Sequence, residues 1–247
     1  MSGHNKWANI KHTKEKQDAI RGKKFTQLGK LIAVAVKEGG SDPTTNARLR
    51  DCIAKAKEAN MPNDNIQRSI KKASGELGNV DYTEITYEGY GPAGSAVIVN
   101  CLTDNKNRTA GEIRHIFDKS GGSMGSTGCV SYMFKNVGLI DVMKDTGVEE
   151  DALMDIALEG GAYDLEDCGD CFTIKVEPSD FTACREYLES KGVKIASSEV
   201  SMVPDNYVDI LEDDKYTSFV NFIDKLEEND DVQDVYHNIN LKEETEE

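Results

Sequence analysis

The run Val137-Gly138-Leu139-Ile140-Asp141-Val142-Met143 opens the pattern that decides the fold. It has the composition of a buried strand. The next predicted elements are a helix over 149–159 and two strands over 163–167 and 172–176. A second helix over 181–191 and a last strand over 194–203 follow. This order is typical of a ferredoxin-like unit, which we therefore predict for residues 137–203.

The segments on either side of this unit are predicted to form a second α/β domain. Before it, Thr109 and Glu112 have the spacing of a capping box that starts a helix. The strands predicted there cover 83–88, 96–102 and 129–134. After it, the helix 215–228 and the strand 232–238 are too little to form a domain alone. We therefore expect residues 204–240 to join residues 79–136, which makes 137–203 an insertion.

Residues 1–78 are predicted to form an all-helical domain. The basic residues 1–24 do not share the register of the next helix, whose apolar stripe begins at Phe25. Asp42 with Pro43 predicts the start of a second helix, and Asn63 or Asp64 predicts the cap of a third. The expected fold class is α/β multi-domain, with a helical N-terminal domain before two α+β domains. Residues 241–247 are predicted to be an acidic, disordered tail.

Charge is distributed unevenly along the 247 residues, whose formal net charge is −16. Residues 1–78 contain 16 Lys and Arg against 8 Asp and Glu, whereas residues 79–247 contain 13 against 37. A basic module on an acidic body attracts phosphates at one end and repels them from the other. This division favours a nucleic-acid-binding protein.

The candidate phosphate contacts form two groups. The first group comes from the N-terminal arm and the residues after it: Lys6, Trp7, Lys11, His12, Lys14, Arg21, Lys23 and Lys24. Within it, Trp7 either packs in a core or stacks on a base. The second group lies on helix faces turned away from the apolar stripes: Arg48, Arg50, Arg68 and Lys71.

Two glycine-rich runs are candidate ligand-binding loops. Residues 89–94 precede a strand, which favours a hairpin turn over a dinucleotide fingerprint, because that fingerprint opens a helix. The second run contains Gly121, Gly122, Ser123, Met124 and Gly125, and no Gly-Lys-Ser/Thr follows it. It is either a flexible connection or a loop whose amides contact a nucleic-acid backbone or a partner.

The residue pattern predicts neither catalysis nor a bound metal or cofactor. Cys168 and Cys171 have the spacing of a redox or zinc pair, but no second pair or nearby His accompanies them, so a hairpin turn is favoured. The four His residues lie in no nucleophile or metal motif. A nuclease centre would need carboxylates clustered on the basic part of the chain.

The sequence also predicts a cytoplasmic protein without a membrane partner. The first residues lack the apolar core of a secretory signal, and the longest apolar run, 31–36, is too short to span a bilayer. Six cysteines are too few for a disulfide scaffold of this length. The oligomeric state stays open.

Several long segments resemble the YebC/PmpR family. The first is Ser2-Gly3-His4-Asn5-Lys6-Trp7-Ala8-Asn9-Ile10-Lys11-His12, and others are Ala59-Asn60-Met61-Pro62-Asn63-Asp64-Asn65-Ile66 and Leu102-Thr103-Asp104-Asn105-Lys106-Asn107-Arg108-Thr109. The resemblance is dense over 1–134. It departs at Ala93, where a glycine is common, and at Cys129, where a serine is common.

The resemblance implies a three-domain cytoplasmic protein that acts on nucleic acid. Members are described as DNA-binding transcriptional regulators. Relatives, including a mitochondrial translational activator of cytochrome c oxidase, resemble ribosome-associated translation factors that assist synthesis through proline-rich stretches. Both descriptions require phosphate contacts, in agreement with the charge division.

The choice between DNA and RNA rests on the available side chains. The basic arm offers Lys and Arg but few Asn or Gln to read bases, and no helix-turn-helix signature is evident. Folded RNA is recognised by shape, phosphates and stacking. The residues therefore favour ribosomal RNA over DNA, with a DNA-binding transcriptional regulator as the alternative and a protein-interaction scaffold as the third possibility.

Overall fold

The computed structural model describes residues 14–75, 81–144, 147 and 149–241, and for 14–21 it gives the backbone alone. These residues form two compact units. The first contains the described part of 14–130 together with Ile210–His237, and the second contains Ser131–Asp209 with residues 238–241. Helices combine with an antiparallel sheet in each unit, which confirms the predicted mixed α/β class and the helical N-terminal region.

Three helices begin the first unit: α1, Lys14–Gly39; α2, Ala47–Glu58; and α3, Asn63–Ala73. Both α2 and α3 pack on α1. Apolar residues at helical spacing fill the space between them, and Ile32, Leu49 and Ile66 are almost completely buried. Each such side chain contributes about 1.5–3 kcal/mol through the burial of its apolar surface.

The boundaries of these helices differ from the predicted ones. α1 runs unbroken from Lys14, so the predicted change of register before Phe25 is wrong. A helix continues through good helix formers whether or not they extend the apolar stripe. α2 starts later than predicted because Asp42 accepts a hydrogen bond from the Thr44 amide in a turn (2.9 Å). Asn46 is the cap instead, accepting from the Leu49 amide (3.0 Å).

The start of α3 also differs from the prediction. Pro62 occupies the capping position, and no side chain accepts a hydrogen bond there. Neither Asn63 nor Asp64 is therefore the cap, because both already lie inside the helix. Proline at the start of a helix sacrifices no backbone hydrogen bond, so the break before α3 needs no side-chain acceptor.

A four-stranded sheet and two helices complete the first unit. Its elements are β1, Thr83–Tyr90; β2, Ala96–Thr103; α4, Lys106–Lys119; β3, Ser123–Met124; α7, Asp213–Glu228; and β8, Val232–His237. The strand order is β3-β1-β2-β8, with every pair antiparallel. The strand after residue 204 thus pairs with one that precedes residue 137. Phe117 of α4 and Phe222 of α7 meet edge to face, with ring centroids 4.9 Å apart.

Two local predictions in this region are wrong. Asn105 caps α4 in place of Thr109, and its side chain accepts from the Arg108 amide (3.1 Å). Thr109 instead donates its hydroxyl to buried Asp231 (2.7 Å). Of the strand predicted at 129–134, residues 129–133 are not a strand, because the Val130 amide donates to the carboxylate of Glu88 (3.0 Å) and a 3-10 turn follows at Ser131–Met133.

The second unit has the element order strand, helix, strand, strand, helix, strand. These are β4, Phe134–Met143; α5, Glu150–Glu159; β5, Ala162–Asp167; β6, Cys171–Val176; α6, Phe181–Ser190; and β7, Ile195–Pro204. The strand order is β5-β6-β4-β7, all antiparallel. Ile140, Ile174, Leu153 and Leu188 are completely buried between the sheet and its helices. No helix in the described part of the chain has the length and apolar character to cross a membrane.

Both predicted hairpin turns are confirmed. Residues 89–94 join the antiparallel strands β1 and β2 through a 3-10 turn at Pro92–Gly94. Cys168 and Cys171 face each other at the end of the β5–β6 hairpin, where the Cys168 amide donates to the Cys171 carbonyl (2.9 Å). Within the first turn, Ala93 has a φ of 57°, in the left-handed region that favours glycine.

Replacing Ala93 with glycine should stabilise the protein. The left-handed conformation costs a non-glycine residue about 1–2 kcal/mol, and the side chain of Ala93 is exposed, so little packing is lost. After the entropy of glycine in the unfolded chain is included, we expect Ala93→Gly to raise the free energy of unfolding by about 0.5–1 kcal/mol in urea titrations. The matched control Ala54→Gly, on the exposed side of α2, should lower it by a similar amount. Equal losses for both variants would contradict this account of the turn.

Candidate nucleic-acid interface

The exposed sides of α2 and α3 carry the basic residues of the helical segment. Leu49, Cys52 and Ala56 of α2 and Ile66 and Ile70 of α3 face the core. The basic side chains on the remaining faces are all exposed: Arg48, Arg50, Lys55, Lys57, Arg68, Lys71 and Lys72. On α3, positions 68, 71 and 72 are neighbours on the helix surface, since residues three and four apart lie on one face.

These cations differ in how far the protein itself engages them. Arg48 pairs with Glu38 and with Glu84 (2.9 Å), and Arg50 donates to the carbonyl of Pro43 (3.0 Å). The others have no hydrogen-bond or ion-pair partner within the described residues: Lys55, Lys57, Arg68, Lys71 and Lys72. We refer to these five as the α2–α3 cations. Of the predicted second group, Arg68 and Lys71 are therefore available to a ligand, while Arg48 and Arg50 are held by their own chain.

Much of the predicted first group lies outside what the structure describes. This applies to Lys6, Trp7, Lys11 and His12, and for Lys14 and Arg21 only the helical backbone is given. Lys24 is exposed on α1 and has no partner among the described side chains. Lys23 is half-buried. Burial lowers the pKa of Lys23, against the opposing effect of the nearby carboxylates of Glu227, Asp230 and Glu228.

Polar contacts fix α1 to the sheet of the first unit. The Gln27 side-chain amide donates to the carbonyl of Val232 (2.7 Å). One helical turn further on, the ammonium of Lys30 donates to the carbonyls of Asp230 (2.7 Å) and Leu102 (3.2 Å). It also donates to Oδ1 of Asp231 (2.6 Å), and both side chains of this ion pair are more than nine-tenths buried. α1 is thus bound to the strand ends of β2 and β8.

Asp231 is the centre of this arrangement. Its second oxygen, Oδ2, accepts from Arg108 (2.7 Å), Thr109 (2.7 Å) and Thr103 (3.1 Å). Burial alone would raise the pKa of Asp231, but the hydrogen bonds from Arg108, Lys30 and Thr109 outweigh it and hold the pKa well below its usual range. The carboxylate is therefore ionised at neutral pH. Asp231 directly precedes β8, and through this carboxylate it connects β8 to α1, β2 and α4.

Sequence reasoning did not find this cluster. Lys30 lies within the run 28–36, where it looked like an ordinary charged position between apolar residues. Thr103, Arg108 and Thr109 belong to a segment that carries the family resemblance, but spacing along one segment does not reveal a shared partner more than 100 residues away. No signal in the sequence reveals the burial of Lys30, because it lies off the apolar stripe of α1 and a lysine is ordinarily exposed.

The predicted glycine-rich contact loop uses its amides internally. Gly121 and Gly122 donate to carbonyls at the end of α4, and Gly125 donates to the carbonyl of Glu88 (2.8 Å). Ser123 and Met124 form β3 and pair with β1, where a side chain at Gly89 would lie 2.5 Å from the Ser123 carbonyl. Further along, the buried carboxylate of Glu88 accepts from the amide of Gly128 (2.8 Å). The amides of Gly121, Gly122 and Gly125 are therefore already paired within the protein.

Cys168 and Cys171 are both free thiols. Burial raises the pKa of Cys171 to about 11, so its thiol is protonated at neutral pH. The described residues contain no group of three or more His, Cys, Asp or Glu side chains placed to hold a metal ion. The pair closes the tip of the β5–β6 hairpin.

Comparisons with known proteins identify the family. Residues 5–76 match the model of the TACO1/YebC protein N-terminal domain, and residues 82–239 match that of the TACO1/YebC second and third domain. Together the two matches cover almost the whole chain. The protein belongs to the TACO1/YebC family, in agreement with the resemblance seen in the sequence.

Relatives of high identity carry a regulatory name. A probable transcriptional regulatory protein of Thermoanaerobacter pseudethanolicus is 56% identical over 247 residues, which is 100% of both chains. One from Clostridium botulinum is 56% identical over 243 residues, or 98% of each chain. A crystal structure of a conserved hypothetical protein from Aquifex aeolicus aligns with a TM-score of 0.80 at 43% identity, covering 95% of this chain and 96% of that one.

Removing the carboxylate charge of Asp231 should destabilise the first unit strongly. Asp231→Asn leaves the buried ammonium of Lys30 without its counter-ion, and the loss of one partner of a buried pair costs about 3–5 kcal/mol. Asp205→Asn is the matched control, because Asp205 pairs with Lys135 (2.6 Å) at an exposed site, where such pairs contribute about 0–1 kcal/mol. Urea unfolding at neutral pH measures both changes.

The stability lost in Asp231→Asn should depend on pH. A carboxylate whose pKa is lowered by folding stabilises the protein above its unfolded pKa, and this contribution disappears as the pH falls toward the folded pKa. The difference between the wild type and Asp231→Asn should therefore be constant above about pH 5 and decrease below the ordinary aspartate pKa of about 3.9. Equal destabilisation by Asp231→Asn and Asp205→Asn at neutral pH would contradict the assigned role.

Proposed function

We propose that this protein is a nucleic-acid-binding regulator of gene expression and that the α2–α3 cations contact the phosphate backbone. The observation that supports this most directly is the set of exposed cations that have no side-chain partner among the described residues: Lys55, Lys57, Arg68, Lys71 and Lys72. They belong to a chain whose residues 131–209 contain 18 Asp and Glu against 6 Lys and Arg. Phosphates would be attracted to the helical segment and repelled by the second unit. The proposal includes no catalytic step and no cofactor.

Transcriptional regulation through DNA is the first form of this proposal. The relatives at 56% identity are named probable transcriptional regulatory proteins. Residues 59–62 join α2 to α3, and this four-residue connection has the length found in helix-turn-helix motifs. Asn60, with a φ of 59°, makes the tight turn. Gln67, Arg68 and Lys71 on the exposed side of α3 could reach base edges and phosphates in a major groove.

Sequence reasoning placed DNA second because it discounted this connection. No helix-turn-helix signature is evident in the sequence, yet α3 exposes amide and basic side chains along its length. This surface is compatible with a recognition helix, and together with the names of the relatives it supports DNA binding as the first form of the proposal, ahead of the ribosomal binding that the sequence favoured.

Ribosome binding remains as a second candidate. The exposed surface of α3 offers three cations for each exposed glutamine, and Lys and Arg position a protein on a backbone more than they read its bases. Folded ribosomal RNA, recognised by shape and phosphates, suits such a surface. In this form the protein would be a translation factor assisting synthesis through proline-rich stretches, as the family resemblance implies.

The proposal keeps the predicted three-part organisation and a cytoplasmic location. Separate family models for 5–76 and 82–239 support a helical module at residues 1–78. The strand order β5-β6-β4-β7 supports a ferredoxin-like fold for 137–203. The pairing of β2 with β8 supports the discontinuous domain of 79–136 and 204–240.

Charge reversal on α3 tests the binding surface. In Arg68→Glu/Lys71→Glu, two phosphate contacts become repulsive, so affinity for a mixed-sequence DNA duplex and for a structured RNA should fall about tenfold or more. The slope of log affinity against log salt should become shallower by about 2. Lys191→Glu/Lys194→Glu, at exposed positions of the second unit, makes the same change in net charge and is the control. Equal losses in both variants would reject α3 as the contact surface.

The choice of polymer is settled by two further assays with the same proteins. A preference of about a thousandfold for one duplex over its scrambled version supports the transcriptional form. Co-sedimentation with ribosomes at moderate salt, abolished in Arg68→Glu/Lys71→Glu, supports the ribosomal form. A wild-type protein that binds neither polymer would reject the proposed function.

A further inference from the structure

An acidic segment lies against the basic helix of the first unit. We call Glu227, Glu228 and Asp230 the α7 acidic end, because the first two are in the last turn of α7 and the third follows it. All three are exposed. The hydrogen bonds of Gln27 to Val232 and of Lys30 to Asp230 hold α1 alongside this segment. Lys23 precedes Gln27 by one turn on the same helix face.

The charges of the α7 acidic end therefore act on α1. Glu227, Glu228 and Asp230 are the carboxylates that influence Lys23, the half-buried lysine proposed as a phosphate contact. A cleft of about 520 Å³ adjoins the contact, and its lining includes Thr26, Lys30 and Arg108 together with Glu228 and Asp230. Other carboxylates line the same cleft, namely Asp104, Glu112 and Asp231. The carboxylates that line the cleft thus outnumber its cations, and a phosphate that approaches this side of α1 meets net negative charge.

The position of these carboxylates is locally unfavourable. The C-terminus of a helix carries a partial negative charge, so acidic side chains in its last turn are repelled by the helix dipole. The last turn of α7 nevertheless has Glu227 and Glu228 beside a single basic residue, Lys225. The partial negative charge of the helix end therefore adds to that of the carboxylates beside α1.

We propose that the α7 acidic end is an autoinhibitory element that competes with nucleic-acid phosphates for Lys23 on α1. The inference rests on the proposed function and adds a control to it. In the free protein, the carboxylates of Glu227, Glu228 and Asp230 supply the negative charge near Lys23. A nucleic acid must displace that interaction or overcome its repulsion. Binding is weaker than the cations alone would give, and it responds steeply to any change that neutralises the acidic end.

The test neutralises the acidic end without removing side-chain volume. Glu227→Gln/Glu228→Gln/Asp230→Asn should bind a mixed-sequence DNA duplex and a structured RNA at least about fivefold more tightly at low salt, and the gain should shrink as salt screens the charges. The matched control is Asp155→Asn/Glu186→Gln/Glu189→Gln in the second unit, where three exposed carboxylates are neutralised. Fluorescence anisotropy of labelled nucleic acid measures affinity, and thermal unfolding confirms that each variant is folded.

The second part of the test introduces Lys23→Gln into both the wild type and the neutralised variant and measures the change in affinity in each. If Lys23 is shielded by the acidic end, its loss should weaken binding more in the neutralised variant than in the wild type, which is a measurable coupling. Equal gains in the neutralised variant and its control, or no coupling to Lys23, would overturn the inhibition while leaving the proposed function intact. Failure of both the wild type and the neutralised variant to bind either polymer would reject the function and the inhibition together. Binding by the neutralised variant alone would support both.

Discussion

The first unit depends on the buried carboxylate of Asp231. Lys30 approaches one of its oxygens from α1, and Arg108, Thr109 and Thr103 approach the other. Lys30 and Asp231 are 201 residues apart in sequence, and segment Ser131–Asp209 of the second unit lies between them. Burying either charge alone is strongly unfavourable, so each requires the other, and the helical segment is held to the sheet. The positions of the α2–α3 cations follow from this constraint, because α2 and α3 pack on α1.

The same constraint places opposite charges close together. α1 is the element that brings the basic helical segment to the sheet, and it reaches the sheet at the acidic residues 227–231. Strong positive and negative regions therefore meet inside one compact unit. The net charge of −16 comes mainly from residues 131–209 of the second unit, with 18 Asp and Glu against 6 Lys and Arg, so the first unit can still bind phosphates as we propose. In the free protein the accessible binding surface would be α2 and α3, where the cations face solvent, while Lys23 of α1 is offset by the α7 acidic end until a nucleic acid displaces it.

Much of the fold was predictable from the sequence, because local patterns decide most of its elements. The strands and helices of 137–203 were placed within a few residues, since alternation and helical spacing are strong there. The errors arose where side chains have more than one available partner. Asp42 forms a turn while Asn46 caps α2, and Thr109 donates to Asp231 while Asn105 caps α4. Glu88 captures amides from 128–130 and prevents the predicted strand, a long-range contact that spacing does not encode.

The candidate site was predictable in part. Charge counting found the basic segment, and the apolar stripes of α2 and α3 indicated which side chains face outward. Neither pattern shows that Arg48 is paired with Glu38 and Glu84, or that Lys23 lies beside the α7 acidic end. Those partners are distant in sequence or lie on other elements. Burial of Lys30 was equally hidden, since the residue type alone suggests exposure.

Lysine footprinting tests the central claim most directly. The protein is acetylated under limiting conditions with and without saturating nucleic acid, and modification at each lysine is read by mass spectrometry. The account predicts protection of Lys55, Lys57, Lys71 and Lys72 in the complex and unchanged modification of Lys135, Lys191 and Lys194 in the second unit. Protection confined to the second unit, or a saturated complex in which the lysines of α2 and α3 stay fully reactive, would contradict it.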